Sequence, residues 1–375
     1  MSTTSSHIKV LIPDGESALL KDVVNCLSEI TYIKIYIIST DRYSAMRFSR
    51  YVDRFINLPY TNDDIKWMGS INEVLTKYEI DILLPIDQIA IYKIRKHINL
   101  VNPSCRVSLI PSLPAIDIAL NKSMLAQFLR KKEIPHPRTT SRELNKEKRD
   151  VYLDFPVIAK PIMDSDGGKG IKVLENQVSL DQNLINGKLN SKEFLFQEYI
   201  EGYDIDCSIL CKRGKILSYT IQKGNNPGRD TFAPHLGVEF VHESRVLNVV
   251  ERLALELEWT GVAHIDMRYD SKDDLFKVIE INPRFWGSVL ASLKAGVNFP
   301  HLLILNSSKK ESTFKKYKTN EYQTLLGILK MIRAGKYRYI KPKFIWNNSP
   351  FKYIVKDPLA NFYRVILWCK KLFVK

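Results

Sequence analysis

The chain has 375 residues, 45% hydrophobic and 26% charged, enough to bury a sizeable core across two or three domains. No apolar run has the length of a membrane-spanning helix and residues 1–7 lack a signal-peptide pattern, so an intracellular, cytoplasmic protein is expected rather than an integral membrane one. The net charge of +15 is uneven: residues 306–375 hold 17 Lys/Arg against 3 Asp/Glu, a net of +14, which leaves +1 for residues 1–305 and argues against a chain that binds nucleic acid over its whole surface.

In chain order, residues 8–12 read as a first strand, which Pro13-Asp14-Gly15 turns into a helix over about 17–30. Residues 34–38 and 80–85 are further apolar strands. Alternating strands and helices predict a small doubly wound parallel sheet in a first domain, 1–115. Its first turn has one glycine and lacks the spacing of a dinucleotide site. Asp14 and Asp87 fall at strand ends, where they act either as turn and cap residues or as substrate contacts. Beyond Pro111 to Pro114 a helix is expected over 121–132, with Met124, Leu125, Phe128 and Leu129 on one side. Strands follow over 155–161, 171–174, 195–200, 205–210 and 216–221, then a helix over 249–257. A strand pair, 263–269 and 276–281, closes around the turn 270–274. Cys207 and Cys211 share a strand face and read as core. The five cysteines include no Cys-x-x-Cys pair, as suits a reducing compartment.

Several clusters along this middle stretch carry chemistry. Lys160 interrupts an apolar strand, and burying an ammonium calls for a partner. The loop after it, Asp164-Ser165-Asp166-Gly167-Gly168-Lys169-Gly170, has glycines that let backbone N–H groups cradle phosphate oxygens. The alternative is a hairpin with solvated lysines. The segment Gln197-Glu198-Tyr199-Ile200 leads to Asp204 and Asp206, a connection able to read a flat base through its backbone and a ribose through a carboxylate, or else a plain polar linker. In Val278-Ile279-Glu280-Ile281-Asn282-Pro283-Arg284, alternation puts Glu280 and Asn282 on one strand face and Ile279 and Ile281 on the other. A carboxylate beside an amide oxygen suits a hard cation, and Arg284 offers a planar fork for phosphate or carboxylate. Asp266 precedes Glu280 by 14 residues across the turn, so antiparallel pairing brings the two carboxylates together. His264 on the same strand reads as a satisfied core residue.

Taken in order, Lys122, Lys160, the loop 164–170, the segment 197–204, Asp266, Glu280, Asn282 and Arg284 resemble the ATP-grasp superfamily over roughly residues 1–305. The resemblance implies a mixed α/β and α+β chain: the small first domain, a two-lobed ATP-grasp domain over 116–305, and a basic, largely helical region over 306–375. It implies ATP and Mg2+, with Mn2+ as a substitute. By it, Lys122 and Lys160 contact phosphates, and Asp166, Gly167, Gly168, Lys169 and Gly170 close over them. Gln197, Glu198, Tyr199 and Ile200 form an adenine hinge, with backbone contacts from Glu198 and Ile200, and Asp204 takes the ribose. Asp266, Glu280 and Asn282 hold metal, and Arg284 and Lys160 are catalytic. The activity implied is a ligase that activates a carboxylate as an acyl phosphate and joins it to an amine, releasing ADP and phosphate. The rivals are a carboxylase working through carboxyphosphate and a regulatory ATP-binding protein. Small carboxylate and amine substrates are expected, no nucleic acid, and a homodimer is compatible. Two departures stand out: an aspartate at 204, shorter than the usual glutamate, and an acidic loop at Asp164 and Asp166. Arg229 and His235, in the loop 223–238, are weak candidates for the acceptor side.

Residues 361–375 form a basic amphipathic helix with Trp368 and Phe373, in which Arg364, Lys371 and Lys375 fall together. It either docks on the body or touches an anionic membrane or lipid-linked substrate.

Overall fold

The computed structural model describes residues 7–140, 153–163, 168, 170–189, 193–229, 232–308, 312–313 and 316–373, excepting the side chains of 368 and 370–373. The first sheet is parallel, in the order β3-β2-β1-β4-β5: β1 (Ile8–Ile12), β2 (Ile33–Ser39), β3 (Arg54–Asn57), β4 (Ile82–Leu83) and β5 (Arg106–Val107). Strands β1 and β2 are buried on both faces, which is why they read as continuous apolar runs rather than alternating ones. Helix Leu20–Leu27 covers one face and helix Asp64–Tyr78 the other.

Asp14 and Asp87 serve the scaffold here. The Asp14 carboxyl accepts the amides of Ile86 (3.0 Å) and Asp87 (2.6 Å). Asp87 caps helix Gln88–Lys96 by accepting the Gln88 amide. Burial pushes the Asp14 carboxyl up to about 8, its two backbone donors offsetting only part of that cost.

An antiparallel sheet in the order β6-β9-β7-β8 comes next: β6 (Thr139–Thr140), β7 (Val157–Pro161), β8 (Lys172–Leu174) and β9 (Phe194–Glu198). Helix Lys122–Lys131 precedes it, capped by Asn121. Leu125 and Leu129 of that helix are buried, but Met124 is exposed and does not join them as the periodicity suggested. The third and largest sheet runs β14-β13-β10-β11-β12-β15: β10 (Gly202–Lys212), β11 (Lys215–Asn226), β12 (Gly237–Phe240), β13 (Gly261–Asp270), β14 (Leu275–Asn282) and β15 (Glu321–Gln323). Helix Ser244–Glu256 packs its Val246, Val250 and Leu253 face on this sheet, in a core that includes Cys207 and Cys211.

Two features were not visible in the sequence. Strand β15 comes from the basic C-terminal region, which therefore supplies the edge of the largest sheet as well as helices. Along β14 the register with β13 jumps from Val278–Met267 to Glu280–Asp266, so Ile279 is an extra, bulged residue. Phe276, Val278 and Ile281 all lie in the core, and without the bulge Ile281 and Val278 would face opposite ways. The bulge is what turns Glu280 and Asn282 away from the core, and Ile279 lines the cleft beside them instead of sharing the face of Ile281.

The final helix, Pro358–Phe373, lies against the first domain, with the Tyr363 ring 4.6 Å from that of Phe48. No helix among the described residues is long and apolar enough to cross a membrane.

Candidate functional site

A cleft of about 620 Å³ opens between the two antiparallel sheets, within the range of small-molecule sites. Its floor is the polar face of the largest sheet. Antiparallel register aligns one row across four strands, Glu280–Asp266–Asp206–Gln222, and a second row beside it, Asn282–His264–Ser208–Thr220. These rows are a consequence of pairing, since residues opposite one another share a face.

The first row concentrates carboxyls. Burial raises the Asp266 carboxyl well above its ordinary range, and the charges of Glu280 and Asp206 add to the rise. Burial acts the same way on Glu280, but its hydrogen bond with Asp266 and the ammonium groups of Lys122 and Lys160 outweigh that and leave it low. Two carboxyls this close favour holding one proton between them, since such like charges cannot both ionise unaided. Asn282 Nδ2 donates to Asp266 Oδ2 at 3.2 Å, which locks the amide beside the pair. An oxygen-rich set with surplus negative charge, in which a cation would replace the shared proton, fits a hard divalent ion. Asp266, Glu280 and Asn282 therefore come together as the sequence suggested.

Asp206 and His264 extend this group. His264 Nε2 lies 3.2 Å from Asp266 Oδ1 and 3.9 Å from Asp206 Oδ2, and its Nδ1 pairs with Ser208 Oγ at 2.9 Å. Asp206, His264 and Asp266 are close enough together to ligate one ion. His264 is thus part of the polar floor and not simply a core residue. Its ring stacks on Trp286 at 5.5 Å, and burial, then the Arg284 charge, push it down to about 3 against the pull of Glu280, so it is neutral. Burial lifts Asp206 to about 7 despite the hydrogen bond from Gln222.

The opposite wall carries the lysines. Lys160, on β7, is 6% exposed, which rules out a solvated hairpin lysine. Burial lowers it to about 8, with the Glu280 charge opposing and the Lys122 charge assisting. Lys122, the first residue of its helix, reaches Glu280 Oε2 at 3.7 Å. Gly168 has φ +78°, and a Cβ there would meet the Phe232 carbonyl at 2.5 Å, so a glycine is required where this loop crosses the segment after β11. Gly170 also has positive φ. Asp166, Gly167 and Lys169 lie outside the described residues, as does Asp164.

At the hinge, Gln197, Glu198, Tyr199 and Ile200 all line the cleft. The Glu198 side chain is held elsewhere, by Arg138 Nε at 2.6 Å and the buried Lys277 at 2.8 Å. The Glu198 amide donates to the Arg138 carbonyl, and the Ile200 carbonyl accepts one hydrogen bond from Arg268 Nε, which leaves its second lone pair. Gln197 Nε2 donates to Thr139 Oγ1, fixing the start of the hinge. Asp204 sits between Arg268 and His235. Burial would raise its carboxyl, but those two partners hold it low. His235 thus lies beside Asp204, and Arg229 is exposed.

Arg284 closes the far end. Its Nη1 donates to the Phe285 carbonyl at 2.9 Å, and its Nε lies 3.7 Å from Asp87 Oδ1, so the first domain contacts the site through the same loop that Asp14 anchors. Gln222, Ser288, Tyr322 and Thr324 also line this end, with Ser288 Oγ donating to Gln222 Oε1 at 2.9 Å. Sequence reasoning passed over Asp206 as a member of the floor and passed over Gln222, Tyr322 and Thr324 altogether. Strand alternation, which puts Asp206 on the face of Asp204, was the available signal, and the pairing with Asp266 completes it.

Residues 119–288 match a family model described as an ATP-grasp domain. The chain is 22% identical over 252 residues to the D-aspartate ligase of Enterococcus faecium, a match covering 58% of this chain and 59% of that protein. It is 24% identical over 184 residues to the carbamoyl phosphate synthase large chain of Archaeoglobus fulgidus, covering 46% of this chain. The chain thus spans 17% of the length of that synthase and 59% of the ligase. Among solved structures, N5-carboxyaminoimidazole synthetase from Staphylococcus aureus aligns at a TM-score of 0.64 with 14% identity, covering 84% of this chain and 81% of that one. The biotin carboxylase domain of 2-oxoglutarate carboxylase from Hydrogenobacter thermophilus aligns at 0.63 with 15% identity, covering 83% and 72%. Likeness at these identities shows a shared fold.

Proposed function

Residues 119–288 belong to the ATP-grasp family, and from that premise we propose that the chain is an ATP- and Mg2+-dependent ligase that joins a carboxylate to an amine. The observation that carries this reading is the facing of Asp266, Glu280 and Asn282, an oxygen-rich set with surplus negative charge, by the ammonium groups of Lys122 and Lys160 across one cleft. D-aspartate ligase and D-alanine–D-alanine ligase, two of the curated relatives, bear names that denote joining amino acids, and they support an acid-plus-amine reaction.

In this mechanism ATP enters with its base at the hinge 197–200 and its ribose hydroxyls toward Asp204, whose carboxylate is kept ionised by Arg268 and His235. The β- and γ-phosphates would meet Lys160 and Lys122, beside Gly168. Asp266, Glu280 and Asn282 would hold Mg2+, which when bound neutralises phosphate charge and orients the phosphoryl group. A carboxylate oxygen of the acid attacks the γ-phosphorus, the bond to the β-phosphate oxygen breaks, and ADP leaves. The amine nitrogen then attacks the acyl carbon, the carbon–oxygen bond to phosphate breaks, and phosphate departs while the nitrogen loses a proton. Phosphoryl transfer asks mainly for positioning and charge stabilisation. Arg284 supplies the latter at the transferring group, and its approach to Asp87 orients the guanidinium.

Incubating the full chain with ATP, Mg2+ and pools of acids and amines should give ADP and phosphate in equal amounts, only when both pools are present. ADP formation with bicarbonate and no acid would favour carboxylation instead, and nucleotide binding without turnover would indicate a regulatory protein.

A further inference from the structure

The helices after β15 carry exposed cations and exposed apolar side chains together. Residues 321–367 include only two acidic side chains, and the fold uses both internally. Glu321 accepts from Arg338, Tyr339 and Gln323. Asp357 is buried and accepts from Ser49 Oγ at 2.6 Å and from the Arg50 amide at 3.0 Å. Lys352 pairs with Glu29 of the first domain. The exposed Lys336, Lys341, Lys343, Lys356 and Arg364 have no ion pair among the described residues.

In the same region, helix Pro358–Phe373 exposes Leu359 (68%), Phe362 (67%) and Val365 (56%). Their spacing of three residues places them on one side of the helix. Ala360 and Tyr363 face the body instead, and the buried Asp357 fixes where the helix starts, so the fold holds the apolar stripe in place.

We propose that this face docks on an anionic lipid bilayer, with Leu359, Phe362 and Val365 entering the acyl boundary and the neighbouring lysines and arginine meeting the headgroups. Interfacial helices combine an apolar stripe with basic flanks in this way, and each cation near an anionic surface adds to the attraction. A second copy of the chain is the other apolar partner to consider, but a symmetric contact through this stripe would bring the same unpaired cations against one another. An anionic bilayer satisfies both the apolar stripe and the charge. The inference does not depend on the ligase reading, because it uses no residue of the cleft.

The test is co-sedimentation of the full chain with vesicles of phosphatidylcholine alone or mixed in equal parts with phosphatidylglycerol, at low and high salt. Binding is expected only to the anionic vesicles, and it should weaken as salt screens the headgroups. The pair Lys356→Glu and Arg364→Glu should lower partitioning at least about tenfold, and the exposed pair Leu359→Ser and Phe362→Ser about tenfold or more. The thermal unfolding of both variants should match that of the parent, which shows that they fold. Four results would overturn the proposal: no binding of the parent to anionic vesicles at low salt, equal binding to neutral ones, variants that bind like the parent, or a lipid-free dimer that the Leu359 and Phe362 pair abolishes.

Discussion

Replacing Lys160 with methionine separates a lysine kept for function from one kept for stability. The side chain is 6% exposed, and burial lowers its ammonium from an ordinary 10.5 to about 8. That difference corresponds to about 3 kcal/mol. The sign follows from proton counting. Between about pH 8 and 10.5 the unfolded chain holds a proton that the folded chain has released, so this group makes stability rise with pH across that window. Below pH 8 both states are protonated, and the full cost of the buried charge is present. Lys160→Met removes that cost, offset in part because Glu280 loses a favourable cation. At pH 7 the variant should therefore melt no lower than the parent. A charge-assisted contact to phosphate contributes about 1.5–3 kcal/mol, so ATP affinity should fall about 10- to 100-fold. In the parent, ATP affinity should itself weaken about tenfold between pH 7 and pH 9, as the free lysine deprotonates. Differential scanning calorimetry and titration calorimetry with ATP and Mg2+ read the two effects separately. A variant that melts several degrees lower yet binds ATP like the parent would refute the reasoning.

Other consequences are equally direct. Glu280→Gln should reduce ADP release by at least about a hundredfold while circular dichroism stays unchanged, because a metal clamp supplies several kcal/mol to phosphoryl transfer. An unchanged rate would remove Glu280 from the metal set. Asp204→Ala should raise the KM for ATP about tenfold and abolish any preference over 2′- and 3′-deoxy ATP, since a lost charged hydrogen bond costs about 1.5–3 kcal/mol; retained discrimination would place the ribose elsewhere. Arg284→Ala should lower kcat about a hundredfold or more with little change in ATP affinity. A loss confined to ATP binding would assign Arg284 to the nucleotide instead of the transfer step.

Much of this site was legible because strands obey parity. Lys160 broke an apolar run that proved buried, and Asp266 and Glu280 stood across a turn short enough to force antiparallel pairing. Parity alone reached the right answer for Glu280 and Asn282 but the wrong one for Ile279, because a bulge resets the phase and leaves no mark in composition. The long-range partners were beyond reach. Asp206 meets Asp266 through the pairing of strands nearly sixty residues apart, His235 arrives beside Asp204 from a loop, and Tyr322 and Thr324 come from a region whose charge drew attention away from its short edge strand. The Asp87 carboxylate, a helix cap by its local hydrogen bond, also approaches Arg284, a double role that only the packing of the first domain against the cleft reveals.

The central claim is that a carboxylate oxygen attacks the γ-phosphorus of ATP in this cleft. It is tested most directly with carboxylic acids labelled with heavy oxygen in the carboxyl group, incubated with the full chain, ATP, Mg2+ and amines, followed by mass analysis of the phosphate released. The account predicts one labelled oxygen per phosphate, in step with ADP. Unlabelled phosphate, or AMP and pyrophosphate in place of ADP, would contradict it.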